Sequence, residues 1–377
     1  MLKAVCGKDR CSGCGACRFV CPKGAVVWQK DACGHLTAFI EEAKCIRCGR
    51  CRNVCPSLHP AALRMPQQCY ALWAKDEQQH VSSSSGGAAS LLSDYFIRQG
   101  NVVYGSAVLP GGKVKHIRVD RAEDLPKLKG SKYVQSDCSD VYALIRRDLQ
   151  AGKKVLFTGT PCQNAGILNV FGKEEGLYAV NLVCHGVPSA QLLEEQLRRD
   201  VKTPEAVTSL TFRKGNKFGL TAFHNEQILY TQSLDKERWK NVYMELFLRN
   251  VSFRSGCYEC RYACPERAGD MTIGDFWGLG KQRPFPYDTT RGCSVVTCQS
   301  KKGQELLAAI APYAFFVERD YSEAVAGNKQ LSRPAAKTVS VLIFRKLYPA
   351  FGLHRAGLWA CLPQYIKYRL ARVLHRG

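Results

Sequence analysis

The sequence lacks any long apolar segment. Its N-terminus, MLKAVCGKDRCSGCGAC, contains no apolar stretch of the kind that forms a signal peptide. Elsewhere, no uncharged apolar run approaches the roughly 20 residues that cross a bilayer. These absences argue against a secreted protein and against a membrane-spanning one. They predict a cytoplasmic location, where thiols are kept reduced.

Acidic residues are scarce. The chain has 54 Lys and Arg residues but only 32 Asp and Glu residues, which gives a net charge of +22. Such a basic surface suits an acidic protein, a membrane surface, a phosphorylated substrate or a nucleic acid. The sequence has no zinc-finger spacing and no RNA-recognition signature, so nucleic acid is the least favoured of these partners.

Cysteine, in contrast, is abundant, with 20 residues. In a secreted protein this number would indicate disulfides, whereas clustered cysteines in a reducing compartment indicate metal or iron–sulfur ligands. Because the N-terminus gives no sign of secretion, we interpret the clustered cysteines as ligands.

The first cysteines form an internal repeat. The run CSGCGACRFVCP at residues 11–22 recurs as CIRCGRCRNVCP at residues 45–56. In two-cluster ferredoxins this spacing supplies three ligands to one [4Fe-4S] cluster and the fourth to the other. It predicts one cluster on Cys11, Cys14, Cys17 and Cys55, and a second on Cys45, Cys48, Cys51 and Cys21. The alternative is a pair of zinc sites, which more often use separated cysteine pairs.

Four further cysteines have motif-like settings in the larger part of the chain. Thr160 is a candidate N-cap with Pro161 at the first helical position, which would place Cys162 at a helix N-terminus. Cys184 follows a predicted parallel strand, and Cys257 and Cys260 form a C-x-x-C pair. Together they would meet the requirement of one more cluster. The alternative is that Cys162 and Cys184 are small core residues.

Strand and helix patterns alternate after residue 69. Strands are predicted at residues 70–74, 101–109, 114–119, 154–158 and 177–183, and helices at residues 88–99 and 140–150. This alternation predicts a mixed or parallel sheet. Two short strands, 25–28 and 36–40, are predicted between the two cysteine runs.

With these motifs, the chain resembles the coenzyme F420 hydrogenase/dehydrogenase beta-subunit family. The resemblance covers the cysteine repeat, SSSGG (83–87), GSKYVQS (130–136), FTGTPCQ (157–163), VCHGVP (183–188) and residues 257–277. It implies an α+β ferredoxin-like two-cluster domain followed by a larger α/β flavin-binding domain. The predicted boundaries are 1–62 for the ferredoxin domain, 63–335 for the FAD and [4Fe-4S] domain, and 336–377 for a basic helical tail.

The resemblance also implies FAD and a third [4Fe-4S] cluster near it. Its ligands would be Cys162, Cys184, Cys257 and Cys260, with Cys264 as a substitute. The other cysteines have no ligand spacing, and we interpret them as structural: Cys6, Cys33, Cys69, Cys138, Cys293, Cys298 and Cys361.

Several residues are candidates for contact with the cofactor or substrate. Ser85, Gly86 and Gly87 would cradle a phosphate between a strand and a helix, or they form a flexible linker. The other candidate cofactor contacts are Ser131, Lys132, Tyr133, Gly159, Thr160 and Asp275. His185 is the candidate proton donor, or it is a structural histidine. Asp275 could instead cap a turn.

These features predict an oxidoreductase that passes electrons between a donor and a small-molecule substrate through [4Fe-4S] clusters and FAD. The donor would be an acidic ferredoxin-like protein or a partner subunit. The alternatives are a non-catalytic electron-transfer subunit and a redox accessory of cell-surface polysaccharide synthesis. The basic tail predicts peripheral membrane contact or binding to a partner, or a solvated helix packed on the domain. The sequence identifies neither the substrate nor a deazaflavin pocket.

Overall fold

The computed structural model describes residues 1–215 and 217–374, so residues 375–377 of the predicted tail lie outside it. In the first part of the chain, strands β1 (Leu2–Ala4), β2 (Val26–Lys30) and β3 (Leu36–Glu41) form an antiparallel sheet in the order β1–β3–β2. The two strands predicted between the cysteine runs are confirmed as β2 and β3. Each cysteine run contains one short helix, α1 (Ala16–Phe19) or α2 (Arg50–Asn53). Both helices begin directly after a glycine with positive φ, so the repeat in the sequence is also a repeat in backbone geometry.

Two further sheets follow. Their strands are β4 (Gln68–Ala74), β5 (Val102–Leu109), β6 (Lys113–Val119), β7 (Val155–Gly159), β8 (Leu177–Leu182), β9 (Ser209–Lys214), β10 (Lys217–His224), β11 (Gln227–Ser233), β12 (Met271–Asp275), β13 (Ser294–Cys298) and β14 (Ala314–Glu318). The helices beyond α2 are α3 (Glu77–Val81), α4 (Ala88–Arg98), α5 (Val141–Gln150), α6 (Pro161–Phe171), α7 (Ala190–Asp200), α8 (Leu234–Glu237), α9 (Val242–Leu248), α10 (Lys301–Ile310), α11 (Tyr321–Gly327), α12 (Val339–Ala360) and α13 (Leu362–Leu374).

The large sheet has eight strands in the order β14–β4–β13–β12–β8–β7–β5–β6. Its centre, β12–β8–β7–β5, is parallel, and the outer strands are antiparallel to their neighbours. The predicted mixed or parallel sheet is therefore confirmed. Because β7 and β8 are parallel neighbours, the loops that follow them leave the sheet at the same edge.

Helices cover both faces of this sheet, as a sheet with a buried parallel centre requires. One face packs against α4 and α10 through Leu92, Phe96 and Ile310. The other packs against α5 and α6, and the same apolar cluster includes Cys14 and Ala16 of the cysteine repeat. The N-terminal region is therefore joined to the larger region through a shared core.

A second core was not predicted from the sequence. The small sheet β11–β10–β9 packs with α7, α9 and α12 around residues such as Phe212, Tyr243 and Phe344. Helix α12 is kinked at Gly352, where φ is +68°. In the described part of the chain, no helix combines the length and apolar character needed to cross a bilayer.

Candidate redox site

The eight cysteines of the repeat separate into the two groups that the spacing predicts. The side chains of Cys11, Cys14, Cys17 and Cys55 interact electrostatically with one another and are buried. We call these four residues the proximal set. Cys51 interacts with Cys21, Cys45 and Cys48, and Cys48 is exposed. We call this second group the distal set, because it lies nearer the surface.

The chemistry of both sets fits [4Fe-4S] clusters. A small cavity is lined by all four cysteines of the distal set together with apolar residues such as Val26 and Ile40. In the described part of the chain, no three His, Cys, Asp or Glu side chains converge tightly enough to bind a single metal ion. A [4Fe-4S] cluster does not require its ligands to converge on one ion, because each of the four thiolates binds a different iron.

A third group of four cysteines meets at the edge of the large sheet. Cys162 lies in the first turn of α6, and Cys184 follows β8, the parallel neighbour of β7. Cys184 interacts electrostatically with Cys162, Cys257 and Cys260, so the C-x-x-C pair folds over the two strand ends. We call these four residues the cavity set. Burial raises the pKa of Cys257 to about 11 and that of Cys260 to about 12, so metal binding here would have to displace protons.

The start of α6 follows the local sequence closely. Thr160 is the N-cap in extended conformation, Pro161 is the first helical residue, and the backbone N–H of Thr160 donates to Gln163 Oε1 at 3.1 Å. The predicted cap is therefore confirmed. The Thr160 hydroxyl donates to Gln163 Oε1 at 3.0 Å and lies 3.3 Å from Cys162 Sγ, so a rotation of the hydroxyl would let it donate to a thiolate there.

Helix α6 connects the proximal set to the cavity set. Cys162 is in its first turn, and Gly166 lies one turn later against Cys14 of the proximal set. A Cβ atom at Gly166 would stand 2.9 Å from Cys14 Sγ, so only glycine permits this approach. Cys138 lies in the same region, and its thiol donates to the Cys14 carbonyl at 3.1 Å.

Arg254 lies between the same two sets. It is only 4% exposed, and its guanidinium donates to the carbonyls of Cys11 (3.0 Å) and Leu36 (2.9 Å) and to Gln135 Oε1 (3.1 Å from Nε). Its charge acts on Cys11, Cys162 and Cys257. Arg254 makes no ion pair with any carboxylate in the described part of the chain. Sequence reasoning missed Arg254; its position three residues before the C-x-x-C pair was the available signal.

A cavity of about 630 Å³ lies at the carboxyl ends of the parallel strands. This size is in the range of cofactor and ligand sites. The lining includes the predicted site residues Ser85, Gly87, Ser131, Lys132, Tyr133, Gly159, Thr160, Cys184, His185 and Asp275, whereas Gly86 lies behind it. The Ser106 hydroxyl also lines the cavity and has no hydrogen-bond partner in the described part of the chain.

The Ser/Gly segment is held firmly at the cavity wall. A Cβ atom at Gly86 would stand 2.0 Å from the Leu72 carbonyl oxygen, and Ser85 Oγ donates to the Cys293 carbonyl at 2.9 Å. Gly87 is the N-cap of α4, whose first residues line the cavity. The helix therefore presents N-terminal N–H groups to the cavity, an arrangement that binds phosphate. This packing does not fit the alternative of a flexible linker.

The lysine that contacts this segment is not the predicted one. Lys132 folds back on its own loop, where Nζ donates to the carbonyls of Leu128 (2.9 Å) and Lys129 (2.7 Å). Burial lowers the pKa of Lys132 to about 7. Lys129, which sequence reasoning missed, also lines the cavity, and its Nζ donates to Ser82 Oγ at 2.6 Å.

Asp275 is paired with a buried arginine. Arg213 Nη1 and Nη2 donate to the two carboxylate oxygens at 2.7 and 2.8 Å, and Arg213 also contacts the Ser84 carbonyl. The bidentate pair fixes the carboxylate at the cavity wall and ties β9 to β12. Tyr133 stacks on Phe247 with ring centroids 4.6 Å apart, and Trp277 lies over the Arg213 guanidinium. Sequence reasoning missed Arg213, which lies in a strand without a motif.

His185 lines the cavity directly after Cys184 of the cavity set. Burial lowers its pKa, and the charge of Asp275 opposes this shift. Its ring makes no hydrogen bond within the described ranges 1–215 and 217–374. Of the other cysteines, Cys264 donates its thiol to the Glu266 carbonyl at 3.0 Å, whereas Cys6 interacts electrostatically with Cys11 and Cys55 of the proximal set.

The fold and the cysteine repeat define an iron–sulfur electron-transfer protein, with a ferredoxin-type region joined to a larger α/β region. Residues 10–58 match the model of the 4Fe-4S dicluster domain. Residues 152–323 match the model for the C terminus of the coenzyme F420 hydrogenase/dehydrogenase beta subunit. The resemblance seen in the motifs is therefore confirmed: residues 152–323 match this beta-subunit family, and a match to the 4Fe-4S dicluster domain precedes them in the chain. This relationship indicates an oxidoreductase.

Two individual proteins are similar to parts of the chain. A ferredoxin of Methanocaldococcus jannaschii is 40% identical over 38 residues, which are 10% of this chain and 49% of that ferredoxin. The match thus spans about half the length of that curated relative. A chain in a solved structure of the F420-reducing [NiFe] hydrogenase complex from Methanosarcina barkeri is 17% identical, covers 71% of this chain and 91% of its own, and has a TM-score of 0.47.

Proposed function

We propose that this protein is an iron–sulfur flavoprotein oxidoreductase that passes electrons between a redox partner and a small-molecule substrate. One observation carries the proposal: three sets of four cysteines form a series from exposed Cys48 to the cavity that Cys184 lines. The distal and proximal sets interact through Cys17 and Cys51, and α6 contacts both the proximal set and the cavity set.

Each set supplies the four thiolates that one [4Fe-4S] cluster needs. When bound, the clusters supply one-electron transfer and FAD couples it to two-electron chemistry. Thr160 and Arg254 would hold the cavity set in its anionic form, through a hydroxyl donor and a buried positive charge.

The cavity residues divide into three tasks. The N-terminus of α4 and Lys129 would bind the diphosphate of FAD. Tyr133 and Trp277 offer flat apolar surfaces to its ring system, and the Arg213–Asp275 pair fixes the wall between them. His185 would hold a proton at a ring nitrogen for the substrate, because it lies in the cavity with no competing hydrogen bond from the described residues.

The surface around the distal set suits an acidic electron donor. Exposed Cys48 lies beside Ile46, which is 57% exposed. Exposed cations on the same two ligand loops are Lys23, Arg47 and Arg50. A small apolar contact ringed by cations is suited to a transient complex with an acidic ferredoxin.

Cofactor analysis of protein purified without oxygen tests the proposal. Three cubanes predict about twelve irons per chain, whereas the repeat alone predicts about eight. We also expect bound FAD. The variant Cys260→Ala should fall toward eight irons, while Cys69→Ala, a buried cysteine outside the three sets, should keep the full number. Equal iron and flavin in Cys260→Ala and the parent protein would refute the ligand assignment.

The phosphate site has its own matched pair of variants. Lys129→Ala should lose FAD more readily on gel filtration than Lys127→Ala, because Lys127 pairs with Asp124 at the surface of the same loop. Iron content should be unchanged in both variants. Turnover of a small substrate by the isolated chain with an artificial donor separates an oxidoreductase from a subunit that only relays electrons to a partner.

A further inference from the structure

The two C-terminal helices expose an apolar surface. Of the 18 large hydrophobic side chains that are exposed in the described chain, eight belong to α12 and α13: Val339, Leu342, Ile343, Phe351, Trp359, Leu362, Ile366 and Leu370. The opposite side of α12 is buried against α7 and α9 through residues such as Val341, Phe344 and Tyr348. The exposed residues therefore form the outward face of a helix that is anchored to the core.

Helix α13 extends this face. Leu362, Ile366 and Leu370 are four residues apart, so they form one stripe along the helix, and all three are exposed. Tyr365 is half-buried against Trp239, with ring centroids 5.7 Å apart. Phe351 and Trp359 contact each other across the kink, with ring centroids 4.8 Å apart, and both rings are exposed.

The charged residues of α12 and α13 themselves are all Lys or Arg. No Asp or Glu follows Glu323 in the sequence, whereas ten Lys and Arg residues do. Exposed Lys346, Arg355, Lys367 and Arg369 alternate with the apolar residues of the outward face. This region is thus cationic and apolar at once, and the surface that complements it must be anionic and able to accept apolar side chains.

An anionic membrane surface meets both conditions. The core of a protein–protein interface is depleted of charged residues, whereas here cations are adjacent to the apolar side chains throughout. In a lipid interface, Lys and Arg reach the phosphates while Trp, Phe and Leu enter the acyl boundary. We propose that α12 and α13 together bind the surface of an anionic membrane peripherally, with the stripe Leu362–Ile366–Leu370 inserted and the cations on lipid phosphates.

Vesicle sedimentation of the full chain tests this proposal. The probes are vesicles of phosphatidylcholine alone and vesicles enriched in phosphatidylglycerol. We expect binding to the anionic vesicles only, and weaker binding as salt is added. The double variant Lys367→Gln/Arg369→Gln should bind roughly 30-fold more weakly, because each cation near an anionic surface contributes about 1 kcal/mol. Ile366→Ser/Leu370→Ser should lose binding by removing the inserted groups.

Matched controls are available outside this surface. Ile228→Ser removes an exposed apolar side chain of β11, and Lys113→Gln removes an exposed cation of β6. Both controls should bind vesicles like the parent protein. Absence of binding to anionic vesicles, or equal loss in the controls, would overturn the proposal. A third outcome is that the parent protein dimerises and does not bind vesicles. If Ile366→Ser/Leu370→Ser then abolishes the dimer, the surface binds a second copy of the chain and the membrane proposal is wrong. Iron and flavin contents are independent of every outcome.

Discussion

At the scale of single residues, Arg254 is a buried cation that forms no ion pair among the described residues. A buried positive charge without a carboxylate partner is costly, and its three acceptors here are carbonyl and amide oxygens. Anionic clusters on the proximal and cavity sets would compensate this charge, since a [4Fe-4S] core with four thiolates is negative. Arg254 would in turn favour the reduced, more negative state of both clusters.

Replacement of Arg254 should therefore change reduction potentials. We expect Arg254→Gln to shift the potentials of the two clusters beside it to more negative values and to leave the distal cluster unchanged. Arg254→Lys, which keeps the charge but not the forked geometry, should give a smaller shift. A redox titration followed by electron paramagnetic resonance measures this, with Arg198→Gln as an exposed control. Equal shifts in all three clusters would indicate a general structural effect instead.

The candidate residues also show which parts of the site could be predicted from the sequence. Cysteine spacing predicted which thiols would group, because a cubane imposes fixed distances between ligands. The side chains of Lys129 and Arg213 could not be chosen in this way. Their roles depend on which side chains the loops direct into the cavity. Lys132 lies in the motif GSKYVQS, yet its Nζ donates to the carbonyls of Leu128 and Lys129 in the same loop.

At the scale of elements, α6 is the part that brings two cysteine sets together. Gly166→Ala tests this. Alanine normally stabilises a helix by about 1 kcal/mol relative to glycine. Here its Cβ would stand 2.8 Å from Tyr142 Oη and 2.9 Å from Cys14 Sγ. We expect the variant to lose the proximal cluster, about four irons, although its helix propensity improves.

The control for this prediction is Gly7→Ala. A Cβ at Gly7 would meet only the Arg10 side chain, at 3.8 Å, so its iron content should equal that of the parent protein. If Gly166→Ala also keeps its iron and its thermal stability rises, the contact between α6 and Cys14 is not needed for the cluster.

Sequence patterns predicted five strands of the large sheet, β4, β5, β6, β7 and β8, but not β12, β13 or β14. Strands β7 and β8 are short apolar runs between helices, and both were predicted within one residue of their observed bounds. The position of β4 between β13 and β14 could not be predicted, because Tyr70 pairs with Val296 and Glu318, more than 200 residues away in sequence. The sheet β9–β11 was missed because no motif marks it.

At the scale of the whole molecule, net positive charge should control the encounter with the electron donor. We expect the rate of reduction by an acidic ferredoxin to fall steeply between low and moderate salt, since charges are screened beyond about 10 Å at 0.1 M. Arg47→Ala/Arg50→Ala should weaken this dependence, whereas Lys202→Ala, an exposed cation after α7, should not. Stopped-flow measurements of the reduction rate at several salt concentrations test the parent protein and the variants. A reduction rate that does not change with salt would contradict electrostatic steering of the donor.

The enclosure of the proximal set has a consequence for biosynthesis. The carbonyl of Cys11 is covered by Arg254, which follows it by 243 residues, and Tyr262 donates to the Pro56 carbonyl across 206 residues. The first cysteines to leave the ribosome are thus covered by some of the later segments. At ordinary elongation rates the interval is roughly 12 to 50 seconds. During that time the nascent thiols are open both to the cluster-assembly machinery and to oxygen, so the rate of translation sets how long the growing chain is vulnerable to oxidation.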